Sequence, residues 1–79
     1  MSLERVSIIG AGAWGTALAL IAARAGRTVT LFVRRPDLAA VIAARRENAD
    51  YLPGVALPTD IAITSNLDLA LDADAVLYA

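Results

Sequence analysis

Two short runs of this 79-residue chain suit the recognition of phosphate: Gly10-Ala11-Gly12-Ala13-Trp14-Gly15 and Arg34-Arg35. The first is a G-x-G-x-x-G pattern. Where such a run joins a strand to a helix, each glycine answers a separate steric demand. Gly10 permits the tight turn, Gly12 leaves room for a pyrophosphate to approach the backbone, and Gly15 lets the helix pack closely on the strand. The opening N–H groups of a helix lack internal partners and carry partial positive charge, so phosphate can be held there without a lysine. A glycine-rich turn that binds nothing is the plainer alternative.

The second run lies about 20 residues on, where a dinucleotide site usually places a carboxylate on the adenine ribose hydroxyls. A carboxylate would repel a 2′-phosphate. A guanidinium pairs with one through two parallel hydrogen bonds and can also stack on adenine. Arg34 and Arg35 therefore favour NADP, with NAD as the second candidate. Asp37 is the nearest carboxylate, but Pro36 intervenes and Asp37 reads as a first-turn helix residue. For the arginine pair the alternative is a solvated charge run after a strand.

The chain has no His, Cys or Lys. That removes a disulfide framework, a Cys/His metal site, an imidazole acid–base catalyst and a Schiff-base amine. Any Lys- or His-dependent chemistry must therefore come from outside these 79 positions, and no metal-ligating residue is singled out. The chemistry on offer is binding.

The elements that must position these runs follow from changes of apolar period, each marked by Gly, Pro or a polar cluster. Val6–Ile9 is a β-branched run stopped by Gly10, as in a strand buried on both faces. Trp14 to Arg24 reads as a helix with Trp14, Leu18, Ile21 and Ala22 as its apolar stripe and Gly26 as a left-handed stop. Thr28–Val33 is a second strand. Pro36 opens a second helix, marked by Leu38, Val41 and Ile42 and running to about Arg46. A Pro- and Gly-punctuated connection spans Asn48 to Pro58 and is longer than most such loops. Ile61–Thr64 is a third strand, Leu67–Leu71 a short helix capped by Ser65 or Asn66, and Asp74–Ala79 a fourth strand.

Strands alternating with helices imply parallel pairing through crossovers. The fold class is α/β, a Rossmann-type doubly wound parallel sheet, of which residues 1–79 make the first, mononucleotide-binding half. One sheet edge and one helix-packing face would then be uncovered, so the chain alone should be marginally stable or self-associating, and a homo-oligomer is compatible with it.

Composition supports this class and removes others. Hydrophobic residues make up 58%, yet 18 positions are Ala, so the core should be thin. A formal charge of −1 gives no electrostatic grip on nucleic acid or an anionic membrane. Residues 6–23 carry no charge, which invites comparison with a signal peptide or membrane span. Gly10, Gly12, Gly15, Ser7 and Thr16, with an acidic residue just before the run, argue against both.

The segment Gly10-Ala11-Gly12-Ala13-Trp14-Gly15-Thr16-Ala17-Leu18-Ala19 resembles the opening of the bacterial NAD(P)-dependent glycerol-3-phosphate dehydrogenases. Trp14 before the third glycine, followed by Thr16-Ala17-Leu18, is narrower than the general fingerprint. An independent block, Asn48-x-x-Tyr51-Leu52-Pro53 followed by Leu57-Pro58, Ile61 and Thr64, is similar to that family's N-x-x-Y-L-P…L-P pattern. Asn66-Leu67, Ala70 and Asp74 extend the likeness over essentially the whole chain. The family more often has Ser where Ala13 stands, so here only the backbone N–H can serve.

The resemblance implies, for a whole protein, reversible hydride transfer between a nicotinamide cofactor and the dihydroxyacetone phosphate/glycerol 3-phosphate pair. It implies a cytoplasmic setting and a role in phospholipid synthesis. The lysine that polarises the substrate carbonyl and the residues for the small-molecule phosphate substrate come later in that family, so the chain is expected to be a fragment. Carried over are cofactor contacts only: Gly10, Gly12, Ala13, Trp14, Gly15, Arg34 and Arg35. Tyr51 is a neighbour of the cleft or, with Leu52 and Pro53, a packing residue, the latter being favoured. A non-catalytic nucleotide-sensing module and a related NADP-dependent keto-acid or imine reductase are the competing functions.

Overall fold

The computed structural model describes residues 4–79. Its elements run β1 (Arg5–Ile9), α1 (Ala13–Arg24), β2 (Thr28–Phe32), α2 (Pro36–Arg45), β3 (Ala62–Thr64), α3 (Leu67–Leu71) and β4 (Ala75–Tyr78). All strands are parallel, in the order β3-β2-β1-β4, with Ile8 of β1 opposite Leu31 of β2 and Leu77 of β4. The chain thus moves outward twice and then returns past β1, so the strand order reverses between β1 and β4, and the carboxyl end of β1 lies beside that reversal. In open α/β sheets this is where ligands bind.

The expected seven elements are all present, with ends moved by a residue or so. Val33 lies just past β2, although it is buried and its N–H donates to the Thr64 carbonyl at 2.8 Å. Asp74 precedes β4 and accepts the backbone N–H groups of Glu4 (3.1 Å) and Arg5 (2.9 Å), tying the two strand starts together. The uncharged run 6–23 is broken into a strand, a turn and a helix, which overturns the membrane-span alternative. Among the described residues no helix is long and apolar enough to cross a membrane.

Val6 and Ile8 of β1 and Val29 and Leu31 of β2 form the centre of the core, with Ala19 and Leu20 of α1, Ile42 of α2, and Leu57 and Ile61 from the long connection. Each large buried side chain contributes roughly 1.5–3 kcal/mol by leaving water. Alanines fill much of the remainder.

The packing face of α1 differs from the expected stripe. Trp14 is 68% and Ile21 59% exposed, whereas Gly15, Thr16, Ala19 and Leu20 are buried. Leu18 and Ala22 are half-buried at its margin. The cause is steric: a Cβ at Gly15 would lie 1.9 Å from the Gly10 carbonyl oxygen. At its start the helix sits so close to the end of β1 that only a residue without a side chain fits between, and neighbouring Trp14 turns outward while Leu20, farther along, reaches the core. Val41 of α2, also expected on an apolar stripe, is likewise exposed, while Ala39 and Ile42 face the core.

Helix ends follow their local chemistry. After α1, Gly26 adopts φ +84°, its N–H donates to Ala23 O, and Arg27 N–H donates to Ala22 O, a Schellman closure. Pro36 opens α2 and Asp37 lies in its first turn. Asn66, rather than Ser65, caps α3 by accepting the N–H groups of Asp68 and Leu69. Arg46 ends α2 with φ 53°, unusual for a residue with a Cβ. Its side chain donates to the carbonyls of Pro58 and Ile61, and its own carbonyl accepts from Leu57 N at 2.6 Å. Those bonds offset the left-handed conformation and close the base of the 47–58 loop.

Candidate functional site

The turn between β1 and α1 is built from three glycines with three different reasons for lacking a side chain. Gly10 has φ +116°, and a Cβ there would meet the Ala79 carbonyl oxygen at 2.7 Å. Gly15 is held against Gly10, as above. Gly12, the N-cap of α1, has φ −69° and ψ −175°, which any residue adopts, and a Cβ built on it meets nothing within 4 Å. Gly10 and Gly15 are therefore required by the fold. Gly12 is not, and the space above it is open.

No side chain caps α1, and its first turn holds no acidic residue. The positive end of the helix is thus neither satisfied nor neutralised from within, the state in which a helix start best receives an anion. Gly12 and Ala13 are exposed there.

A cavity of about 230 Å³ opens beside this turn, lined by Ala11 and Gly12, by Arg34 and Arg35 from the end of β2, by Leu38 of α2 and by Tyr51. The structure therefore brings together Gly12, Arg34 and Arg35. Ala13, Trp14, Gly10 and Gly15 do not line the cavity. A second cavity, about 270 Å³, lies near α3, among Ser7, Thr28, Thr30 and Thr64 with Arg5 and Asp72. Arg5 and Asp72 already face each other there at 3.5 Å, and no residue of the turn contributes. Free amides and guanidinium groups make the first cavity the better anion site.

The two arginines are not equivalent. Arg35 donates to both carboxylate oxygens of Asp37, from Nη2 at 2.7 Å and from Nε at 3.3 Å. This hydrogen bond, with the Leu38 N–H, holds the Asp37 carboxyl below the usual aspartate range and raises the pKa of Arg35. Arg34 makes no hydrogen bond or ion pair with the described residues. Asp37 is thus in the first turn of α2 as expected, and it also engages one member of the pair.

Tyr51 is 55% exposed and faces the cavity, while Leu52 packs against the core. The packing role expected for Tyr51-Leu52-Pro53 holds for Leu52 and fails for Tyr51, because the loop's two bonds onto the Asn48 carbonyl turn adjacent residues to opposite sides. Asn48 itself is the residue that reading for site chemistry passed over. It is 1% exposed, and its Nδ2 donates to Ala11 O at 2.6 Å and to Thr16 Oγ1 at 2.9 Å. A lone polar residue at the start of a loop carries no local signal of such a contact; only its place in the N-x-x-Y-L-P block marked it.

The family model described as NAD-dependent glycerol-3-phosphate dehydrogenase N-terminus matches residues 5–79. Among curated relatives, the glycerol-3-phosphate dehydrogenase [NAD(P)+] of Bradyrhizobium diazoefficiens is 58% identical over 78 residues, covering 99% of this chain and 24% of the relative. That of Deinococcus radiodurans is 60% identical over 60 residues, covering 76% of this chain and 18% of the relative. A crystal structure of glycerol-3-phosphate dehydrogenase from Coxiella burnetii superposes with a TM-score of 0.88 at 34% identity, over 96% of this chain and 24% of that one. The chain spans a quarter or less of the length of these relatives.

Proposed function

We propose that this chain, which belongs to the NAD-dependent glycerol-3-phosphate dehydrogenase N-terminal family, holds the pyrophosphate of a nicotinamide dinucleotide on its glycine turn. One observation carries the reading: Gly12 lacks a side chain that neither its backbone angles nor its neighbours forbid, so the open space serves something outside the fold. The amides at the start of α1 supply donors and the helix dipole favours the negative charge. Gly10, Ala13, Trp14 and Gly15 complete the turn. Arg34, with Arg35 beside it, receives the adenine-ribose end, where a 2′-phosphate would make NADP the better ligand while NAD remains acceptable.

When bound, the nicotinamide supplies or accepts a hydride. The proposed part of this chain's residues in that step is to bind and orient the dinucleotide. Within a longer protein the site serves the interconversion of dihydroxyacetone phosphate and sn-glycerol 3-phosphate, a small phosphorylated substrate, in the cytoplasm and for phospholipid synthesis. The domain assignment follows: residues 1–79 are the N-terminal part of an NAD(P)-binding domain. The full-length protein should oxidise NADPH when dihydroxyacetone phosphate is added, followed by loss of absorbance, and NADH more weakly. Absence of turnover with both cofactors would refute this reading.

A further inference from the structure

Asn48 stands 37 positions from Ala11 in sequence, yet its side chain is buried against the glycine turn. The carbonyl of Ala11 can only accept, so the amide of Asn48 must present its NH₂ group there. A flipped amide would set two acceptors against each other. Thr16 completes the arrangement, its hydroxyl accepting from Asn48 Nδ2 at 2.9 Å and donating to Ala11 O at 3.4 Å. Asn48 Oδ1 is buried and has no partner among the described residues, so the orientation is dictated by the donor side.

A trans peptide is planar, with its C=O and N–H pointing in opposite directions. No peptide among the described residues is cis. Drawing the Ala11 carbonyl inward to Asn48 therefore points the Gly12 N–H away from Asn48, on a residue that is itself exposed. The backbone of Asn48 does a second job. Its carbonyl accepts from Tyr51 N (3.2 Å) and Leu52 N (2.7 Å), shaping the turn that sets Tyr51 on the same cavity.

We propose that Asn48 is a positioning residue for pyrophosphate: its buried amide sets the Ala11–Gly12 peptide so that the Gly12 N–H faces the phosphate. This rests on the cofactor reading above and adds a residue to it. The step is one of orientation, with no contact between Asn48 and the ligand.

The test uses the full-length protein, NADP⁺, and adenosine 2′-monophosphate, which has the 2′-phosphate but no pyrophosphate. Asn48→Ala should weaken NADP⁺ roughly tenfold or more and change adenosine 2′-monophosphate less than about twofold. Asn48→Asp should weaken NADP⁺ further at neutral pH, because an ionised carboxyl repels the Ala11 carbonyl. It should recover relative to the unaltered protein as the pH falls and the introduced carboxyl, protonated, donates in place of the amide. Asn48→Ala should show no such recovery. Equal losses for both ligands, or no recovery, would mean a merely structural role and overturn the proposal. In the unaltered protein the Gly12 amide resonance should shift with NADP⁺ and stay in place with adenosine 2′-monophosphate; a Gly12 resonance indifferent to NADP⁺ would also overturn it. Failure of the unaltered protein to bind either ligand would instead refute the cofactor reading.

Discussion

Arg35 and Asp37 grip each other across Pro36, guanidinium to carboxylate, with hydrogen bonds of 2.7 and 3.3 Å, while Arg34 next door has no partner among the described residues. Two adjacent, chemically identical side chains thus line the same cavity in different states. A phosphate can take Arg34 without displacing anything, whereas it must share Arg35 with a negative charge.

Arg34→Ala should therefore weaken NADPH binding by roughly tenfold or more while leaving NADH within about twofold, because the lost group pairs with the 2′-phosphate alone. Calorimetric titration of both cofactors checks this. Equal losses would remove Arg34 from that phosphate.

Asp37→Asn should act in the opposite direction. It releases Arg35 and removes a charge that repels the 2′-phosphate, so NADPH affinity should rise a few-fold relative to NADH. Both side chains are solvent-exposed, and salt should shrink the gain. A fall in NADPH affinity would show instead that Asp37 is needed to place Arg35.

Gly15→Ala and Gly10→Ala should damage the fold before they damage binding. A Cβ at residue 15 would lie 1.9 Å from Gly10 O, and one at residue 10 would lie 2.7 Å from Ala79 O. Overpacking of this kind costs on the order of 1–3 kcal/mol, and the Gly15 approach lies at the upper end. Denaturant unfolding should show a lower midpoint with an unchanged slope; an unmoved midpoint for Gly15→Ala would contradict the close approach of α1 to β1.

The Asp74 carboxyl accepts the backbone N–H groups of Arg5, the larger influence, and Glu4, and it is held below the ordinary range. Folding thus favours its deprotonated form. The resulting stability is complete above the unfolded aspartate pKa of about 3.9 and is lost as the pH falls through the lower folded value. Asp74→Asn should lower the melting temperature at neutral pH, and the gap should close as the pH falls through the depressed folded pKa. A gap that persists there would remove the charge from the explanation.

The strands were legible because Val6–Ile9 and Thr28–Phe32 are β-branched runs with clear stops, and the glycine turn because its spacing encodes steric needs local to a strand–helix junction. The orientation of α1 was not. Periodicity weights large apolar residues, whereas the close approach at Gly15 admits no side chain, so neighbouring Trp14 faces outward. Arg46 in a left-handed conformation was hidden for a related reason: what stabilises it are the carbonyls of Pro58 and Ile61, more than ten residues away. Asn48 reaches the glycine turn and Tyr51 the cavity through contacts made by the folded loop, which no window of sequence contains. The separation of Arg34 from Arg35 depends on a side-chain conformation and shows only in the structure.

The open space above Gly12 is the proposed seat of the pyrophosphate. Gly12→Val in the full-length protein tests it most directly, because residue 12 has ordinary backbone angles and free surroundings. The variant should melt within a few degrees of the unaltered protein and lose measurable NADPH binding in a calorimetric titration. Binding of NADPH at the unaltered affinity by the folded variant would contradict the account.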